Sequence, residues 1–264
     1  MDLLLEGKVA LVTGSTAGIG FAIAEGLARE NSRVIVNGRT EKRVRDAVAK
    51  ILQKYPRAQV EPFSGDLSEA AVGDALFLKY PDVEILVNNL GIFNPQPFEA
   101  ITDDEWRRFF EVNVLSGVRL SRYYLPRMKQ KNWGRIVFIS SESAVQIPVE
   151  MIHYGFTKTA QLAISRGLAE TTVGTAVTVN AVLPGPTASE GVSDFVAKLG
   201  SQMNQTPAEF EKFFFEKARP TSLLKRFATP EEVANLVVYV CSPLASATNG
   251  AALRVDGGVV RSIV

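Results

Sequence analysis

Short runs of β-branched and aliphatic residues alternate with longer, helically periodic segments along almost the whole chain. This alternation limits the fold more than any other feature. Residues 8–13 (KVALVT), 33–37 (RVIVN), 60–64, 84–88 (EILVN), 135–140 (RIVFIS), 176–183 (AVTVNAVL) and 252–256 read as seven strands, with Pro62 weakening the third. Residues 18–29, 41–54, 102–131, 151–171 and 230–241 read as helices, with 102–131 broken once. Near-continuous apolar strands fit a parallel sheet covered on both faces. Right-handed crossovers then give one doubly wound α/β domain of Rossmann type over residues 1–264. Ligands bind such a sheet beyond the carboxyl ends of its strands, so functional residues belong in the strand-to-helix loops.

Bulk properties exclude several classes of function. The chain has 264 residues and a net charge of +1, which gives no electrostatic pull toward nucleic acid or an anionic membrane. Its single cysteine, Cys241, allows no intrachain disulfide. Cys241 lies in an apolar run and reads as a small buried residue. His153 is the only histidine, so no His-rich metal set is expected. Residues 3–5 form an apolar stretch far too short for a signal peptide. No run approaches the roughly 18 apolar residues of a membrane span. The expected location is the cytoplasm.

The first strand leads directly into Thr13-Gly14-Ser15-Thr16-Ala17-Gly18-Ile19-Gly20 and then a helix. Gly14 can turn tightly, Gly18 lets a phosphate approach the backbone, and Gly20 lets helix and strand pack closely. The helix N-terminus offers free N–H groups and a positive dipole end to a pyrophosphate. A glycine triplet alone is weak, but the strand–turn–helix setting strengthens it. Farther on, Tyr154 and Lys158 stand four residues apart, about one helical turn, so they share a face. A nearby ammonium is expected to lower the phenol's ordinary pKa of about 10 and equip it for acid/base work. Ser140 and Ser141 close the fifth strand, where a hydroxyl can hold a substrate oxygen against the tyrosine. Asn113 is a polar residue on an otherwise apolar helical stretch.

The Gly-x3-Gly-x-Gly spacing and Tyr-x3-Lys pair resemble the short-chain dehydrogenase/reductase family, and the likeness runs from Gly7 to about Gly258. The branch looks most like the 3-oxoacyl-carrier-protein-reductase-like enzymes. The resemblance implies a catalytic tetrad of Asn113, Ser141, Tyr154 and Lys158, with Ser140 structural. It implies that Asn113 holds a water joining the lysine to solvent. Gly14, Ser15, Thr16, Gly18, Ile19 and Gly20 would meet the cofactor phosphates. Asp66 and Leu67 would contact the adenine, and Asn89 and Gly91 belong to an Asn-Asn-Leu-Gly run where alanine is usual in place of Leu90. Asn180, Pro184, Gly185, Pro186 and Thr187 would lie along the nicotinamide. Asp256-Gly257-Gly258 matches the end of the last strand.

The end of the second strand reads Asn37-Gly38-Arg39-Thr40. No carboxylate stands where an NAD-specific site needs one, and a guanidinium follows at once. NADP(H) is therefore the expected cofactor, with NAD(H) second. NADPH dependence favours reduction of a carbonyl to an alcohol. Residues 187–229 break the alternation and carry Phe195, Phe210, Phe213, Phe214 and Phe215, which suggests a substrate lid. With Ile92, Phe93 and 145–151, they predict an apolar pocket for a small carbonyl or alcohol. Arg119, Arg122, Arg127, Lys129 and Lys131 are read as a solvated helix face, with an acidic carrier protein as the other option. His153 reads as a neighbour of the tyrosine titrating near neutrality. The resemblance implies a homotetramer built on 230–264 and on the two long helices, 102–131 and 151–171. A non-catalytic NADP(H)-binding sensor or scaffold on the same fold is the competing reading.

Overall fold

The computed structural model describes residues 2–190 and 205–263. Seven parallel strands form one sheet in the order β3-β2-β1-β4-β5-β6-β7. They are β1 (Val9–Val12), β2 (Arg33–Gly38), β3 (Gln59–Ser64), β4 (Ile85–Asn88), β5 (Gly134–Ile139), β6 (Val177–Pro184) and β7 (Ala252–Val255). The expected Rossmann-type architecture is present. Pro62 is tolerated because β3 is an edge strand that pairs only with β2. β4, β5 and β6 are buried along their whole length, which is why they read as apolar runs rather than alternating ones.

The helices α1 (Gly18–Arg29) and α2 (Glu41–Lys54) match their sequence bounds. A third, α3 (Ala70–Lys79), was not legible. It buries only Gly73 and Leu76 and carries almost no amphipathic pattern. The 102–131 region is α4 (Asp103–Phe110) and α5 (Ser116–Gln130), joined by a π-helical turn over Glu111–Leu115. The chain does not reverse there; it widens by one turn. α6 (Ile152–Glu170), α7 (Pro207–Lys217) and α8 (Pro230–Val240) complete the helices described. α1, α2 and α8 cover one face through Ile23, Leu27, Val44, Ile51, Val233 and Val237. α3, α5 and α6 cover the other through Leu76, Leu120, Tyr124 and Ala169.

The strand order reverses direction between β1 and β4, so their carboxyl ends open a crevice. The loops after β1, β4, β5 and β6 all reach this edge. No helix among the described residues is long and apolar enough to cross a membrane.

Candidate active site

The loop after β1 is shaped by backbone contacts. Gly14 and Gly18 have φ of 60° and 55°, in the region that favours glycine. A Cβ on Gly20 would stand 2.4 Å from Asn89 Nδ2 and 2.5 Å from the Gly14 carbonyl, so only hydrogen fits. Asn89 Nδ2 donates to the carbonyls of Thr13 (2.9 Å) and Gly14 (3.1 Å), tying the loop after β4 to the glycine loop. Ser15, expected among the cofactor contacts, is turned inward and fully buried. Its hydroxyl donates to the Val12 carbonyl (2.7 Å) and accepts from the Asn37 N–H (3.0 Å), so it braces the loop instead. α1 begins at Ala17 without a side-chain cap, whereas Thr40, Thr102, Thr206 and Thr229 cap α2, α4, α7 and α8. The first N–H groups of α1 are thus left for an anion.

At the end of β2, a Cβ on Gly38 would meet Thr16 Cγ2 at 2.4 Å. A side chain there would have to displace the Thr16 methyl group. Arg39 is exposed beside it and has no partner among the described residues. Arg43 pairs with Glu190 at 2.8 Å across the crevice. Asp66 is bonded to the N–H and hydroxyl of Ser68, and Leu67 is buried in the core. Leu90 leans against Gly14. Asn180, expected along the nicotinamide, lies elsewhere. It sits mid-strand and bonds Thr248 and Ala251, fastening β6 to the approach of β7. Pro184, Gly185, Pro186 and Thr187 do reach the crevice, with Gly185 packed too closely on Asp256 for any side chain. Asp256 itself holds the turn after β7 by accepting from the N–H groups of Gly258 and Val260.

Ser141, Tyr154 and Lys158 converge on a cavity of about 410 Å³, whose other walls include Asn89, Gly91 and Ile19. Lys158 is buried, and its Nζ donates to the Ile139 carbonyl at 2.8 Å. Ser140 donates to the Lys158 carbonyl, which gives it the structural role expected of it. Asn113 lies in the π-helical turn. Its side chain accepts from the Ile92 N–H (2.8 Å) and donates to the Ile92 carbonyl (3.0 Å) and Thr157 (3.0 Å). Its backbone carbonyl accepts from Gln161 Nε2 at 2.6 Å, while Gln161 Oε1 accepts from Lys158 Nζ at 3.4 Å. A side-chain amide therefore links the lysine to the Asn113 backbone. Gln161 was not singled out in the sequence. Its signal is its place at Lys158 plus three, the helical spacing that faces the lysine.

The electrostatics differ from the simple expectation for a tyrosine beside an ammonium. Burial pushes the Tyr154 phenol up to about 12; hydrogen bonding with Ser141 pulls it down, Glu142 raises it and Arg219 lowers it. Burial also drives Lys158 down to about 7, so it carries only part of a charge at neutral pH. The protein alone thus holds the tyrosine as a proton donor. His153 is likewise no neutral-pH titrator. It is fully buried, its ring lies 4.1 Å from that of Phe109, and burial pushes its pKa below the usual value.

The wall away from the glycine loop is aromatic. Phe93, Phe210, Phe213, Phe214 and Phe227 line the cavity with Ile92 and Met151. α7, within the 187–229 segment, supplies three of these rings. Phe195 and the rest of 191–204 lie outside the described residues. On α5, Arg119 bonds the Ser68 carbonyl and Glu111 and Arg127 stacks on Tyr123; just past its end, Lys131 pairs with Asp82. These cations are spent within the chain.

A family model described as enoyl-(acyl carrier protein) reductase matches residues 14–260. The uncharacterized oxidoreductase YvaG of Bacillus subtilis (strain 168) is 52% identical over 263 residues, covering 100% of both chains. The 3-oxoacyl-[acyl-carrier-protein] reductase FabG of Aquifex aeolicus (strain VF5) is 34% identical over 98% of this chain and 100% of its own. Among solved structures, L-sorbose reductase from Gluconobacter frateurii, complexed with NADPH and L-sorbose, superposes with a TM-score of 0.90. It is 30% identical and is covered, like this chain, in full.

Proposed function

This chain belongs to the short-chain dehydrogenase/reductase family of oxidoreductases, and we propose that it is an NADP(H)-dependent enzyme that reduces a small, largely apolar ketone or aldehyde with Tyr154 as proton donor. The observation that carries this reading is the meeting of Ser141, Tyr154 and Lys158 in one cavity, beside an uncapped helix start and a glycine loop. The fit to NADP(H) rests on Gly38, which places no carboxylate at the end of β2, and on the exposed Arg39 beside it, which has no partner among the described residues. The L-sorbose reductase structure contains NADPH, which agrees.

When bound, the cofactor supplies or accepts the hydride. The chain's own residues do the rest. The N–H groups at the start of α1 would hold the pyrophosphate, and Arg39 would hold the 2′-phosphate. Ser141 orients the substrate oxygen toward the phenol. Tyr154, protonated at neutral pH, gives that oxygen its proton. Lys158, fixed by the Ile139 carbonyl and Gln161, would bind the nicotinamide ribose and steady the phenolate left behind. Asn113 clamps the Ile92 backbone to α6 and so keeps the loop after β4 in register.

Of the segment expected to form the substrate lid, the described residues Phe210, Phe213, Phe214 and Phe227 wall the substrate side of the cavity with Phe93. The five phenylalanines favour an aliphatic or aromatic carbonyl over a free sugar. Exposed Phe110 and Phe156 on α4 and α6, with Tyr239 and Leu244 near the C-terminus, fit a homotetramer with two kinds of two-fold contact. The single buried, unpaired Cys241 suits a cytoplasmic protein.

The test is a screen of apolar ketones with NADPH, followed by Tyr154→Phe on the best substrate. The variant loses kcat by roughly 100-fold to 10,000-fold while NADPH still binds. A variant with full activity would remove the mechanism.

A further inference from the structure

Glu142 and Arg219 form a buried ion pair at the wall of the cavity, 77 residues apart in sequence. Arg219 Nε lies 2.9 Å from Glu142 Oε1, and the side chains are 9% and 5% exposed. Such a pair is costly to desolvate, and removing one partner strands the other charge. Its place is what matters. Glu142 directly follows Ser141, and its second oxygen accepts from the Ser143 hydroxyl at 2.9 Å. The Ser143 N–H donates in turn to Ser141 Oγ at 3.1 Å. Arg219 also reaches Glu150 at 3.4 Å, in the Val149–Met151 turn that leads into α6 and Tyr154. One guanidinium therefore joins the segment after α7 to both turns that frame the tyrosine.

We propose that Arg219 is a positioning residue for Tyr154: it neutralises Glu142 beside the phenol, so that the segment after α7 completes the active site rather than merely covering it. The inference rests on Tyr154 as the acid/base. Among the described residues, the groups that face the tyrosine are few. Ser141 reaches it from the turn after β5, Lys158 from its own helix and Phe93 from the loop after β4, as a ring edge 6.4 Å away. Glu142 and Arg219 act on it in opposite directions, the carboxylate opposing phenolate formation and the guanidinium favouring it. Glu150 acts through Arg219, and His153 is turned away toward Phe109 and Trp106. With the pair intact the two charges cancel. Without Arg219 the tyrosine would sit beside a lone buried carboxylate. The arrangement also leaves Arg219 occupied by two glutamates, so it offers no free cation to an anionic substrate.

The experiment is the pH profile of kcat for alcohol oxidation, which needs the phenolate and so rises with pH. Arg219→Gln moves the rising limb up by about one pH unit, and Glu142→Gln moves it down. The double variant returns toward the wild-type position, and Arg219→Lys, which keeps the charge, leaves the limb where it was. The double variant and Arg219→Lys keep the test open if Arg219→Gln does not fold. Two single variants that lose kcat with unmoved limbs, or limbs moved the same way, would overturn the inference. In that case a Tyr154→Phe variant that is still dead would leave the proposed reaction standing.

Discussion

The loops after β1 and after β6 leave the same edge of the same sheet, yet they build their halves of the crevice by different means. The first is short and works through backbone. Its glycines, the inward Ser15 and the uncapped start of α1 fix where N–H groups point. The second is long and works through side chains: the phenylalanines of α7 and Phe227 form the wall, and Arg219 ties them to the site. A backbone site admits few residue types, because a single methyl group collides. A side-chain site admits many, provided that shape and charge are balanced. The first half therefore suits a cofactor that does not change, and the second a substrate that can.

This contrast can be broken most sharply at Gly20. Gly20→Ala places a methyl group 2.4 Å from Asn89 Nδ2 and 2.5 Å from the Gly14 carbonyl. NADPH affinity should fall by about 100-fold or more, equal to ~3 kcal/mol, in a direct titration. Near-normal affinity would mean that the loop is not set by its backbone. A smaller effect is expected on the other side. Phe213→Leu keeps the wall apolar but removes ring area, so the KM for an apolar ketone should rise about threefold to tenfold, a loss of ~1 kcal/mol. NADPH affinity should stay unchanged. If both shifted together, the two connections would not be separate devices.

The same contrast explains what could be read from the sequence. The strand–helix alternation and the glycine loop were plain, because glycine at such spacings has few other uses. The Tyr154–Lys158 pair was also plain, since the two share one helix face, but Ser141, expected to close the fifth strand, lies past its end at Ile139 and caps the turn that follows. α3 was missed because its apolar residues lack a periodic face. Asn180 was misplaced because a polar residue in a buried strand signals a polar partner without saying which one. Gln161 was missed because its bridge depends on the π-helical turn that presents the Asn113 carbonyl. The expected drop in the tyrosine pKa failed for a general reason: spacing shows proximity, but not that burial would drive both partners toward their neutral forms. The Glu142–Arg219 pair joins distant segments, and no local pattern announces it.

The account rests on one central claim, that the crevice is built for NADP(H). Titrating the purified protein with NADPH and, separately, with NADH, and following the nicotinamide fluorescence, tests it directly. A charged hydrogen bond from Arg39 to the 2′-phosphate is worth about 1.5–3 kcal/mol, so NADPH should bind roughly 10-fold to 100-fold more tightly. Equal or tighter binding of NADH would contradict the claim and turn the search toward alcohol oxidation with NAD.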